Sequence, residues 1–600
     1  MYAYGVGSVV DLPNFSVIVH GLDGWETSYQ APIREERLLA AVRTEPGLRQ
    51  VGELRAAPWA AETANAFDEW ARIGVPVSPF PRWLRCTGCD YLAPIESTLF
   101  ELQTQPFRPD RARYVHKNCV PRGKPPTAIP ARFVLACSRG HLDEFPWLEF
   151  VHRNAPCSGA PVLEARDLAT GNRSTDVLVR CRTCRQQFYV GRAFRENARG
   201  LLPRCRARRP HLGDFDPQGC KEQATPMLLG ASNAWFAATR RALAIPTASG
   251  SLAQLVAEHW PILADARDLA TLETLLRHVP ALAPLRRHDL NDVWAAVDAQ
   301  RRTVEETRSA PAADLAAPEW YALTHPDEAP TGPDFKLVPT GAPAGWDRWF
   351  EPTVLVPRLR EVTALVGFTR VDSPDAGAPL APLARSQPTW VPAAETRGEG
   401  IFVHLREEAI AAWEATVAGS DRLEALHDAH RAWRRRRGLD PEVAWPGARY
   451  VLLHTLAHAL VNELALECGY AAASLRERIY AGSPGQADQA MAGILLYTAA
   501  PDAEGTLGGL VSLGHPERLG GILAGALERV RLCAADPLCA DHRAGEHEDA
   551  LHGAACHACV FVPETTCERG NRYLDRAVLC DTLTGGGIAL FEEGVVARTG

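Results

Sequence analysis

Three pairs among the sixteen cysteines of this 600-residue chain share the spacing Cys-x-x-Cys: Cys86 with Cys89, Cys181 with Cys184, and Cys556 with Cys559. That spacing lets two thiolates face one Zn²⁺ at about 2.3 Å, and two further ligands close a tetrahedron. Such a site fixes backbone that buries too little apolar surface to fold by itself. The opening MYAYGVGSVVDLP lacks a basic stretch followed by an apolar one, so no exporting leader is expected and the expected compartment is the cytoplasm. Thiols stay reduced there, which favours metal sites over disulfides. A redox Cys-x-x-Cys is the rival reading, but neither upstream pair opens a helix in a thioredoxin-like βαβ pattern.

For the C-terminal pair the expected ligand set is Cys539, Cys556, Cys559 and Cys567, with Cys533 as the substitute for Cys539 and His542, His547, His552 and His557 as competitors. By chain order, Cys86 and Cys89 take Cys119 and Cys137, while Cys181 and Cys184 take Cys205 and Cys220; Cys157 is a spare, and His116 or His141 can enter the first site. About three zinc ions result, each closed by four thiolates and therefore structural rather than hydrolytic. Reduced cysteines buried as small apolar residues are the bland alternative. An open site has one candidate, His454-x-x-x-His458, whose rings share a helix face extended by Asn462. It lacks the glutamate of His-Glu-x-x-His, and Glu463 lies off that face, so a core hydrogen-bonding role is expected. Glycine-rich Gly505–Gly509 is read as a tight turn, with approach to a phosphate backbone as the alternative.

The pattern along the chain reads as an α+β multidomain protein. It has a β-rich N-terminal segment (1–78), a cysteine-rich, zinc-ribbon-like domain (79–225), a helical region and linker (226–345), a mixed strand/helix connector (346–444) and a C-terminal mixed α/β zinc-binding domain (445–600). Ser16–His20, Val362–Phe368 and Gly400–Leu405 read as strands, Glu407–Arg437 as one helix ended by Gly438, and Arg449–Cys468 as another ended by Gly469. Residues 311–345, rich in Pro and Gly, read as linker.

Several functions are excluded. The most apolar run, Val451–Leu466, contains His454, His458, Asn462 and Glu463, so no membrane span is expected. Lysine is scarce beside arginine, as in a GC-rich bacterial genome. The one lysine after a glycine, Lys124, precedes Pro125, so there is no Walker phosphate loop. A net charge of −8 limits nucleic-acid contact to a local patch. The densest is Arg434, Arg435, Arg436 and Arg437, where Trp433 offers a base-stacking ring; a solvated helix end is the competing reading. A second candidate surface flanks the knuckles: Arg82, Arg85, Arg111, Arg113, Arg180, Arg182, Arg185, Arg204, Arg206, Arg208 and Arg209.

Leu453–His458, Ser474–Tyr480, Gly493–Tyr497, Gly505–Gly509, Asp536–Cys539, Ala555–Cys559, Glu564–Cys567 and Asn571–Arg576 together resemble the zinc-binding domain at the C-terminus of MrfA-type DNA-repair helicases. Upstream, Gly7–Pro13, Gly21–Trp25, Pro130–Phe133 and Gly140–Trp147 resemble the DrmB family of the bacterial DISARM anti-phage system. The resemblance implies a non-enzymatic accessory subunit that pairs with a separate DrmA-type helicase and engages phage DNA. Two alternatives remain: a zinc-dependent hydrolase or nuclease using His454 and His458, and an adaptor that contacts only protein.

Overall fold

The computed structural model describes residues 4–63, 65, 67–119, 124–168, 175–195, 198, 200–246, 251–309, 314–469, 471–483, 489–498, 509–545, 550–564, 566–583 and 587–591. The chain divides into two compact units, each assembled from separated segments. One comprises Met1–Arg34, Glu45–Arg240 and Ala364–Ala394; the other comprises Glu35–Thr44, Arg241–Thr363 and Glu395–Gly600.

The first unit is almost all β, as its turn-rich sequence implies. Its main sheet is antiparallel and runs, edge to edge, Gln187–Tyr189, Val177–Cys181, Leu163–Asp167, Tyr91–Pro94, Trp83–Cys86, Thr127–Pro130, Arg113–His116 and Phe100–Gln103. Alternation is clear in Val177–Cys181, where Val177, Val179 and Cys181 point into a core of Phe133, Phe145, Trp147 and Phe150. A smaller sheet places Phe133–Ala136 between Leu142–Glu144 and Thr225–Leu228. Both upstream knuckles grow from strand ends. In each the carbonyl of the first cysteine accepts the N–H four residues on, Asp90 at 3.0 Å and Arg185 at 2.9 Å, and that residue has a left-handed φ of 60° or 66°.

In the second unit the helix Gly447–Cys468 is apolar on nearly every side, which suits an element covered all round. It packs against the hairpin Leu475–Gly482/Met491–Thr498 and against Pro516–Arg531, and Gly469 ends it with φ +67°. Its first turn is anchored by Arg449, 1% exposed, which pairs with Glu407 at 2.6 Å and Glu414 at 2.8 Å. No helix among the described residues is long and apolar enough to cross a membrane.

Three sequence expectations change. Glu407–Arg437 is two helices, Glu407–Val417 and Asp421–Arg436, because Gly419 turns the chain with φ +73°. The short strand readings become parts of long ones, Val354–Thr369 and Trp390–His404, each contributing residues to both units. Within the stretch read as linker, Ala316–Thr324 is a helix that buries Glu319, Trp320 and Leu323.

Close strand approach demands glycine most strictly at Gly398. A Cβ on Gly398 would lie 1.8 Å from the Thr498 carbonyl oxygen, backbone that cannot swing aside. Gly398→Ala is therefore expected to lower stability by about 1–3 kcal/mol or more through overpacking. Gly521→Ala, on an exposed face of Pro516–Arg531 with nothing within 4 Å, should instead raise it by up to about 1 kcal/mol. Thermal melting of the two variants checks both signs.

Candidate metal centres

Donor atoms bonded to one tetrahedral zinc at about 2.0–2.3 Å must lie about 3.3–3.8 Å from one another. Among the described residues, four quartets of cysteine and histidine bring their donor atoms within 4.8 Å of one another, close to that demand. The first is Cys86, Cys89, His116 and Cys119. Strand Thr127–Pro130 lies between Trp83–Cys86 and Arg113–His116, with Ala128 opposite both Cys86 and Tyr114, so the register brings Cys86 and His116 to the same end. Cys86 and Cys119 sulfurs are 3.7 Å apart, and Cys89 Sγ lies 3.4 Å from His116 Nδ1.

The second quartet is Cys137, His141, Cys205 and Cys220. The hairpin that pairs Ala136 with Leu142 supplies its first two members. Cys137 Sγ lies 3.4 Å from His141 Nδ1, 3.6 Å from Cys205 Sγ and 4.0 Å from Cys220 Sγ. The S–H of Cys205 donates to Cys137 and pulls that thiol down to about 4, while the same contact pushes Cys205 up. On the far side of the ring, His141 Nε2 meets Asp216 Oδ2 at 3.3 Å, the carboxylate–histidine arrangement that orients zinc-ligating imidazoles. Asp216→Ala is expected to weaken zinc at this site by about 10–100-fold, measured by competition against a chromogenic chelator.

His152, at the end of helix Trp147–His152, joins Cys157, Cys181 and Cys184 in the third quartet. Its Nδ1–H donates to the Leu148 carbonyl at 2.8 Å, which leaves Nε2 as a buried lone pair with no hydrogen-bond partner. A metal ion satisfies such an atom. The fourth quartet is all sulfur: Cys533, Cys539, Cys556 and Cys559, with separations of 3.5 Å (Cys533–Cys556), 3.7 Å (Cys556–Cys559) and 3.8 Å (Cys539–Cys559). Beside it, fully buried Arg576 donates to the Val530 and Arg531 carbonyls at 2.8 and 2.9 Å and pairs with Asp536. Burial opposes the charge of Arg576, but Cys539 and Asp536 outweigh it and hold the guanidinium protonated.

Chain-order pairing therefore fails upstream. Cys137 stands with Cys205 and Cys220 rather than with Cys86 and Cys89, and Cys181 and Cys184 take His152 and Cys157 instead of Cys205 and Cys220. His116 stands with Cys86, Cys89 and Cys119, and His141 with Cys137, Cys205 and Cys220. At the C-terminus Cys533 takes the place given to Cys567, which lies with His454, His458 and Glu477. Four quartets replace the three counted from spacing. His152 and Glu477 are candidate donors that the spacing of the cysteines does not point to, although His152 precedes Cys157 by five positions, a ligand-like interval. His542 and His552 stack on each other and bond the Gly553 carbonyl, and His557 lies against Phe561. His547 and Gly505–Gly508 lie outside the described residues.

The arginine surfaces are reduced. Trp433 is 3% exposed, with Arg437 and Arg572 guanidinium carbons 4.0 and 5.1 Å from its ring, so it does not offer a base a stacking face. Arg434 is 1% exposed and donates to the Asp440 carbonyl. Arg435 and Arg436 are exposed and Arg437 half-buried. Around the knuckles, carboxylates answer many of the arginines: Arg85–Asp167 at 2.7 Å, Arg182–Glu164 at 2.8 Å, Arg206 and Arg208 to Asp143 at 2.6 and 3.0 Å, and Arg209–Asp214 at 2.7 Å.

The comparisons with known proteins converge on the same regions. A model described as a domain of unknown function (DUF8724) matches residues 1–236, which hold the first three quartets. The MrfA Zn-binding domain matches residues 456–560, which hold the fourth. Over 538 residues the chain is 30% identical to the DISARM protein DrmB of Bacillus paralicheniformis, covering 85% of this chain and 89% of that protein. Likeness along that much of both chains, with a zinc-binding domain built around a four-sulfur cluster, makes this protein a member of the DrmB family of DISARM proteins.

Proposed function

We propose that the chain is the non-motor, zinc-stabilised subunit of a bacterial DISARM anti-phage system, acting in the cytoplasm, where it partners a DrmA-type helicase and contributes to binding phage DNA. The observation that carries the reading is the match to a DISARM protein along 85% of the chain. The quartets support it chemically: each offers four protein donors, which leaves no exchangeable position for a catalytic water and suits a scaffold. Lys124 followed by Pro125 supplies no Walker lysine, so ATP-driven movement falls to the partner. DNA contact rests on the exposed Arg435 and Arg436 rather than on Trp433 or Arg434.

Co-expression with the helicase subunit of the same system tests the assembly, and DNA titration at several salt concentrations tests the binding. Co-purification is expected, with an affinity that falls as salt rises. Charge reversal by Arg435→Glu with Arg436→Glu should shrink the salt slope by about one per lost phosphate contact. Co-purification without DNA binding would leave a protein-only adaptor, and ATP hydrolysis by the isolated chain would overturn the non-motor assignment.

A further inference from the structure

We propose that His454, His458, Glu477 and Cys567 form a fifth metal site, a closed N₂OS set for a zinc-class divalent ion, distinct from the four-sulfur site of the MrfA-type domain. The four donor atoms lie within 4.8 Å of one another. His454 Nε2 is 3.1 Å from both Cys567 Sγ and Glu477 Oε1, and His458 Nε2 is 3.4 Å from Glu477 Oε1. Both histidines and Glu477 are 0% exposed, and Cys567 is 9% exposed.

Proton bookkeeping favours an ion at the centre. His458 Nδ1 donates to the Val560 carbonyl at 2.8 Å, which fixes the tautomer and turns the Nε2 lone pair toward the carboxylate. That Nε2 has no hydrogen-bond partner, nor does Glu477 Oε2. A ring held by a backbone carbonyl on one nitrogen and presenting the other is the usual posture of a zinc-ligating histidine. Two neutral imidazoles, one carboxylate and one thiolate around a divalent cation also sum to zero charge, as a dry site requires.

Cys567 carries a second, independent mark. In three of the four quartets, a thiol that begins a ligand turn accepts the N–H of the residue two positions on: Gly88 to Cys86 and Ala207 to Cys205 at 3.3 Å, Ala535 to Cys533 and Ala558 to Cys556 at 3.4 Å. Arg569 N–H donates to Cys567 Sγ in the same way at 3.3 Å, joined by Asn571 N–H at 3.2 Å. Cys580 behaves oppositely: its S–H donates to the Arg576 carbonyl, as an ordinary buried thiol does. Cys567 is thus presented as a thiolate acceptor. The ion ties the helix Gly447–Cys468 to strand Leu475–Gly482 and to the loop after the C-terminal knuckle. With four protein donors it is structural, and no hydrolytic role for His454 and His458 follows.

Native mass spectrometry of the full chain, purified from zinc-supplemented cells and desalted, counts the ions. Five per wild-type chain are expected, and four in His458→Ala and in the nearly isosteric Glu477→Gln. A wild type that holds four ions overturns the fifth site while leaving the zinc scaffold intact, whereas a wild type that holds none overturns both. Five ions in both variants would also overturn it. The wild-type count decides even where a variant does not fold.

Discussion

Cys559→Ser is expected to release one zinc per chain and to unfold the segment around residues 531–591. A structural zinc contributes about 10–16 kcal/mol of apparent binding energy, comparable with the net stability of about 5–15 kcal/mol typical of a whole protein. Leu551, Val560, Tyr573, Leu579 and Phe591 of this segment are buried in the main core, but the elements around the knuckle are short, Leu538–Asp541 being a helix of 4 residues, so the cluster rather than regular backbone pairing holds the turns that carry its sulfurs. Removing one sulfur also leaves the buried Cys533 and Cys539, the half-buried Cys556 and the Arg576–Asp536 pair facing a gap. Cys468→Ser is the matched control. That thiol is half-buried and belongs to none of the metal clusters, so its cost should stay within about 0.5 kcal/mol. Zinc analysis together with thermal melting separates the two; equal melting temperatures and equal zinc would contradict the assignment of Cys559.

Glu319→Ala should be the costliest single change away from the metal clusters, about 3–5 kcal/mol. Its carboxylate is 0% exposed and accepts from Leu243 N–H, Arg478 Nη2 and Tyr480 Oη, each at 2.9 Å. Without it, a buried guanidinium and a buried phenol lose their partner together, while burial alone already opposes the charge of Arg478. Melting is expected to fall by roughly 10 °C on the usual scaling. Pairing the change with Arg478→Met, which removes the orphaned charge, should recover much of the loss. A double variant no more stable than Glu319→Ala would show that the ion pair is not the source.

That glutamate sits in the stretch the sequence marks as linker, and the reason is instructive. Pro and Gly between 311 and 345 are real punctuation, but Ala316–Thr324 inserts Trp320 and Leu323 into a core shared with residues as distant in sequence as Leu243, Phe402, Tyr480 and Tyr497. Local composition does not carry that information. The same limit governs the metal sites. Each knuckle was legible because its two sulfurs are neighbours in sequence. Their partners were not, since strand order decides that Cys86 meets His116 across Thr127–Pro130 and that Cys137 and His141 face each other across a hairpin. His152 and Glu477 had still less signal, because a single histidine or glutamate has no partner spacing to betray it. Long strands were half read for a chemical reason: Pro357, Arg358 and Arg360 interrupt the apolar run of Val354–Thr369. Charge runs mislead in a different way. Arg434–Arg437 is a true arginine cluster, yet one helix turn sends Arg434 and Trp433 inward and Arg435 and Arg436 outward.

Exhaustive treatment of the purified chain with a zinc chelator, followed by hydrogen exchange resolved along the sequence, tests most directly whether metal holds this protein together. The expected result is zinc release accompanied by loss of protection around Cys86–Cys119, Cys137–Cys220 and Cys533–Cys567, restored when zinc is returned. A chain that is stripped of metal and keeps its protection in all three regions would contradict the metal-scaffold reading.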